Sequence, residues 1–144
     1  MYNELKTSFL ASTDNVLLAR TISVGFLIEL NLPVNLLNEI KTIVSEAVTN
    51  AIVHGYSNDS TKYVDMNLRY DEESIYIEVI DYGIGIEDIE KAKEPLFSTK
   101  IDEERAGLGF TIMEVFTDSL QVISKLNEGT KVIMVKKYHE QGEY

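Results

Sequence analysis

The sequence predicts an α+β two-layer sandwich: one mixed, mainly antiparallel sheet with helices on one face. Three observations carry this. Two helical patterns follow one another with no strand between them, from Asp14 to about Asn31 and from Pro33 to about Gly55. Two β-patterned hairpins stand apart from them, Lys62 to Tyr70 with Ile75 to Ile80, and Val122 to Ser124 with Thr130 to Lys136. Helices and strands therefore segregate instead of alternating, which suits an antiparallel sheet covered on one side and not a doubly wound parallel one. No repeat, low-complexity tract or Pro/Gly linker divides the chain, so residues 1–144 read as a single domain large enough to bury a core.

The elements follow in order. Leu5, Thr7 and Phe9 alternate with polar neighbours, a short strand. Ser12-Thr13-Asp14 offers helix caps, and Val16, Leu17, Val24, Leu27 and Ile28 recur at helical spacing. Asn31-Leu32-Pro33 ends that helix, because the residue before proline avoids the helical region. The second helix carries a buried stripe of Leu36, Ile40, Ile43, Val44, Ala47 and Ala51. Asp71-Glu72-Glu73-Ser74 joins the strands of the first hairpin, and Asn127-Glu128-Gly129 turns the second. Between them, Tyr82 to Ala106 is polar and irregular, with a short helical pattern from Ile86 to Lys93. A loop of that length in a small domain is usually a lid or binding segment. A helix is expected from about Gly107 to Phe116, and the tail from Tyr138 is expected to fray.

A net charge of −11 argues against nucleic-acid binding, and the densest basic cluster, Lys136-Lys137, is too small to reverse that. The absence of cysteine excludes disulfides and thiolate metal sites. No apolar run is long enough to span a membrane, and Met1 to Lys6 lacks the order of a signal peptide, so the expected location is the cytoplasm.

Three short blocks carry chemistry. Glu46 and Asn50 lie one helical turn apart and His54 one turn further, forming a polar stripe at the edge of the apolar face. An amide oxygen is a suitable ligand for Mg²⁺ and a carboxylate can take a proton from an attacking hydroxyl. A solvated helix flank with a capping histidine is the competing reading. Asp81 ends a strand and is followed by Gly83 and Gly85, a pattern that fits either a carboxylate reading an amino group beside a close-packed turn or a plain strand-ending turn. Gly107 and Gly109 are expected to precede a helix, whose free N–H groups favour phosphate, with Arg105 just upstream as a bidentate partner. Thr99 and Lys100 are further phosphate candidates or solvated loop residues. No Gly-Lys-Ser/Thr phosphate loop occurs.

In this order and spacing the blocks resemble the ATP-binding fold shared by gyrase, the Hsp90 chaperones, histidine kinases and the MutL mismatch-repair proteins. Two longer runs sharpen the resemblance: Ser45 through Tyr56, and Pro95 to Lys100 continuing through Gly107 to Glu114. Together they are similar to the bacterial anti-sigma factor serine kinases, in particular the sporulation branch, over essentially the whole chain. That resemblance implies a Bergerat-type fold and a homodimer that withholds a sigma factor from RNA polymerase. It also implies a protein serine kinase that phosphorylates an anti-anti-sigma antagonist with ATP and Mg²⁺, leaving ADP. By matched motif, Glu46 would be the general base, Asn50 the Mg²⁺ ligand and Asp81 the reader of the adenine amino group. Gly83, Gly85, Gly107 and Gly109 would shape the site, with Arg105 near the γ-phosphate. His54, Thr99, Lys100, Leu108, Phe110 and Thr130 would complete the nucleotide's surroundings. Arg20, the only basic residue between Lys6 and Lys41, would anchor the protein partners, against the plainer reading of one incidental charge on an amphipathic helix. A non-catalytic sigma-binding module and an isolated histidine-kinase-like ATPase domain are the rival classes. The first has no need of Glu46; the second would come with a phosphoacceptor histidine, and none precedes His54.

Overall fold

A computed structural model describes residues 2–93 and 101–138, with the backbone but not the side chains of 101–107. The chain runs β1 (Asn3–Leu10), α1 (Asp14–Phe26), α2 (Val34–Asn50), β2 (Tyr63–Tyr70), β3 (Ser74–Asp81), α3 (Ile89–Lys93), α4 (Ile101–Phe116), β4 (Ser119–Lys125) and β5 (Gly129–Lys137). The five strands form one sheet in the order β1-β2-β3-β5-β4. The α+β sandwich stands. The sheet, however, is antiparallel in all four of its described pairings and not mixed. The α1–α2 connection returns the chain beside β1 in the opposite direction, and the α3–α4 connection carries it to the far edge as β4, leaving a gap that β5 fills antiparallel to both β3 and β4, so no parallel ladder arises.

Alternation along the strands decides which face meets the helices. Val64, Met66, Leu68 and Tyr70 of β2, Ile75, Ile77 and Val79 of β3, and Val132 and Met134 of β5 are all buried. On the other face Asn67 donates to Glu78 at 2.9 Å and Arg69 stacks on Tyr76 at 3.7 Å, a polar surface. The expected α2 stripe is buried in full, and each such Leu or Ile is worth about 1.5–3 kcal/mol over exposure.

The first helix differs from its pattern. It ends at Phe26, and a 3₁₀ turn over Ile28–Leu30 closes on Asn31 at φ 50°. Its buried side is the small pair Ala19 and Ser23, which brings α1 close to α2, while Leu17 and Ile28 are about two-thirds exposed, at 65% and 67%. Lys136, buried on β5, ties three elements: its ammonium meets Glu39 of α2 at 2.7 Å and the Phe116 carbonyl ending α4 at 2.6 Å.

Candidate functional site

The site begins where α2 ends. After Asn50 the helix widens into a π turn over Ala51–Gly55, with the Tyr56 N–H reaching the Ala51 carbonyl at 3.0 Å. Such widened turns are rare and collect at functional sites. This one presses Gly55 against the tip of β3: a Cβ on Gly55 would lie 2.5 Å from the Asp81 carboxyl carbon. The segment also clamps the turn that follows. The Gly55 carbonyl accepts the Ile84 N–H at 3.0 Å, and the Tyr56 hydroxyl accepts the Tyr82 N–H at 2.8 Å while donating to the Tyr63 carbonyl at 2.6 Å.

Asp81 is only 5% exposed. Burial pushes its carboxyl up from 3.8 to about 6, opposed by hydrogen bonds from the N–H groups of Gly83 and Thr130. Gly83 thus serves the site as a donor to Asp81. Gly85, at φ 75°, lets the loop fold tightly onto the Lys125 carbonyl, where any Cβ would collide. The loop is strapped to the second hairpin by the Asn127 N–H on the Ile84 carbonyl and the Ile86 N–H on Ser124 Oγ, both at 2.7 Å.

These elements enclose a cavity of about 440 Å³, within the range of small-ligand sites. Of the residues expected there, Asn50, His54, Asp81, Gly85, Phe110 and Thr130 line it. Asn50 turns a buried amide nitrogen toward no hydrogen-bond partner among the described residues. A buried polar atom left unpaired is costly, and a ligand would relieve it. Glu46 stands one turn back, partly buried, and that burial raises its carboxyl above the usual range. Gly109 of α4 sits against both: its Cβ would lie 3.0 Å from Glu46 Oε2 and 3.2 Å from Asn50 Nδ2.

The phosphate-binding helix start is corrected. Gly107 and Gly109 do not precede a helix but lie inside α4, which begins at Ile101. The physical reason is local: Asp102, Glu103, Glu104, Arg105 and Ala106 are helix-compatible, and acids in the first turn complement the dipole. Leu108 is 46% exposed and is not part of the cavity wall. The side chain of Arg105 lies outside the described residues, as do Thr99 and Lys100 altogether. Arg20 sits on α1 away from the cavity wall, half-buried, with its Nε buried and unpartnered among the described residues.

The profile of the histidine kinase-like ATPase domain matches residues 9–136. The chain belongs to that family. Within the histidine kinase-like ATPases it is similar to the anti-sigma F factor of Lysinibacillus sphaericus, 46% identical over 96% of this chain and 95% of that one. It is likewise similar to the anti-sigma F factor of Clostridium perfringens strain SM101, at 49% over 95% and 98%, and to that of Geobacillus stearothermophilus, at 45% over 98% and 97%. Among solved structures, the blue-light activated histidine kinase of Erythrobacter litoralis superimposes with a TM-score of 0.59 at 24% identity, which speaks for the fold alone. The match covers 78% of this chain and 34% of that one. The isolated kinase domain of that protein gives 0.53 at 25% identity, and the chain spans 48% of its length.

The resemblance read from the sequence implies Mg²⁺ beside the nucleotide. No cluster of three or more His, Cys, Asp or Glu exists among the described residues. Mg²⁺ does not require one, since it keeps waters and takes one or two protein ligands beside substrate phosphates. Asn50 fits that pattern through its amide oxygen, at the cavity wall, while its unpartnered Nδ2 is a donor suited to a phosphate oxygen and not to the cation.

Sequence reasoning missed part of the wall. Val79 and Val132 line the cavity two residues from Asp81 and Thr130, on the same strand faces, so the period of two could have found them. Lys91 of α3, the wall's only Lys or Arg among the described residues, had no such signal.

Proposed function

We propose that this protein is an anti-sigma factor and a protein serine kinase. It binds ATP with Mg²⁺ in the cavity, sequesters a sigma factor as a cytoplasmic homodimer, and phosphorylates a serine of its anti-anti-sigma antagonist. The observation that carries the reading is the convergence of buried Asp81 and Asn50, with its unpartnered amide nitrogen, on one cavity, with Glu46 one helical turn behind Asn50 and outside the wall, in a chain matching anti-sigma F factors nearly end to end.

Each side chain has a task under this reading. Asp81, excluded from water, accepts a hydrogen bond from the adenine amino group. Phe110, 2% exposed, supplies apolar wall for the base. Asn50 holds the metal, whose chemistry is to neutralise phosphate charge during transfer. Glu46 takes the proton of the attacking serine hydroxyl as that oxygen bonds to the γ-phosphorus and ADP departs; burial that raises its carboxyl makes it the stronger base. Gly109, with no Cβ, lets α4 approach Glu46 and Asn50 closely. Arg105 is assigned to the terminal phosphate, and Arg20 to the protein partners.

Glu46→Gln tests the central claim. Removing a general base typically costs about 10²–10⁴ in rate, roughly 3–5 kcal/mol of barrier. Single-turnover transfer to a serine-bearing antagonist is expected to fall by that factor while ATP affinity stays within a few-fold. An unchanged rate removes Glu46 from the mechanism; no transfer by the folded wild type leaves a non-catalytic binding module.

A further inference from the structure

Ser124 is not part of the cavity wall, yet it stands directly opposite Thr130 in the β4–β5 ladder, and Thr130 does line the cavity. Its hydroxyl makes three short contacts. It accepts the Ile86 N–H at 2.7 Å, it lies 3.0 Å from the Gly129 carbonyl, and it lies 2.8 Å from Thr130 Oγ1.

A serine hydroxyl has one proton and two lone pairs. The Gly129 carbonyl only accepts, so the serine proton goes there. One lone pair is taken by Ile86. The contact with Thr130 is then left a single polarity, with Thr130 donating. The threonine's only proton is thereby turned outward, away from the cavity, and toward the cavity Thr130 presents lone pairs alone. Beside it, the carboxyl of Asp81 is already held by the N–H groups of Gly83 and Thr130. The two polar groups at the end of β3 and the start of β5 are matched in character.

We propose that Ser124 is a positioning residue that fixes the hydrogen-bond polarity of the base-reading wall. The wall accepts and does not donate. It therefore takes a purine bearing an exocyclic amino group and rejects one bearing a carbonyl in that place, because the carbonyl oxygen would face acceptors with no proton between them. This rests on the reading of the cavity as a nucleotide site and adds the edge of the base that is read.

ATP and inosine triphosphate make the test, since they share ribose and phosphates and differ only on one edge of the base, amino against carbonyl at C6 and bare N1 against N1–H. Affinities are measured by calorimetry on the full chain with Mg²⁺, with thermal unfolding as a check that each variant is folded. The wild type is expected to prefer ATP. Ser124→Ala frees the Thr130 proton to turn inward, and the ATP:inosine triphosphate affinity ratio should fall about tenfold, equivalent to about 1.4 kcal/mol. Ser124→Thr, which keeps the hydroxyl, should restore the ratio. In a Thr130→Val background Ser124→Ala should leave the ratio where Thr130→Val sets it. A purely structural role would loosen the Ile86 loop and weaken both nucleotides in step; a constant ratio overturns the proposal. So does a ratio that still shifts when Thr130 is valine. A folded wild type that binds neither nucleotide overturns the nucleotide reading itself, and this inference with it.

Discussion

Replacing Asp81 by asparagine should make the ligand-free protein less dependent on pH and at the same time unable to hold its nucleotide. The carboxyl is 5% exposed, and burial pushes its pKa up from an ordinary 3.8 to about 6. That gap of roughly two pH units corresponds to about 3 kcal/mol at about 1.36 kcal/mol per unit. The sign follows from the direction. An acid whose folded pKa is raised favours the fold while it is protonated, so the benefit is complete below the unfolded value and is lost as pH rises through about 6. Asparagine does not titrate. It also offers one oxygen to the two N–H groups that the carboxylate accepts, so one donor loses its acceptor, a constant penalty of about 1–3 kcal/mol. The offset does not change with pH, which makes the pH trend the clean observable. Urea unfolding of both proteins between pH 4 and 7.5 should show the wild-type advantage shrinking by about 2 kcal/mol as pH rises, matched in thermal unfolding by a shift on the order of 5 °C in Tm. An advantage constant across that range would refute the argument that burial, uncompensated by charge, dominates at this carboxyl. Nucleotide titration of the same variant should show loss of ATP binding, because the amide's donor end opposes the base's amino group.

Three further outcomes are expected. Asn50→Ala should weaken ATP binding in Mg²⁺ far more than in EDTA; equal losses would make Asn50 a structural amide. Arg20→Glu should keep ATP affinity and thermal stability but lose at least roughly 30-fold in sigma-factor binding, about 2 kcal/mol, read by titration against sigma factor and antagonist separately. Lys136→Met should destabilise the fold by about 2–3 kcal/mol in urea, below the cost of a fully buried pair because Glu39 keeps 32% exposure. Adding Glu39→Leu should recover most of it, since removing both charges leaves neither unpaired.

Much of this molecule was legible in one dimension. The α2 stripe from Leu36 to Ala51 could be read because a helix repeats its buried face every three to four residues, and the hairpin strands because a sheet repeats its own every two. Asp81 and Asn50 could be marked as candidates from residue type and spacing, and both line the cavity. Apart from one local misreading at α4, what the sequence left open was whatever depends on distant segments meeting. The start of α4 at Ile101 puts Gly107 and Gly109 inside a helix, which local propensity alone could have supported but the glycine pair disguised. The exposure of Leu17 and Ile28 depends on how closely Ala19 and Ser23 let α1 approach α2. The raised pKa of Asp81 needs Gly55 and its neighbours packed around it, and the polarity of Thr130 depends on Ser124 from the facing strand of its hairpin and on Ile86 from a loop distant in sequence. Composition and periodicity settled which groups the protein possesses, because those are properties of neighbours in the chain. Burial, pairing and proton direction were decided only by the fold, because they are properties of neighbours in space.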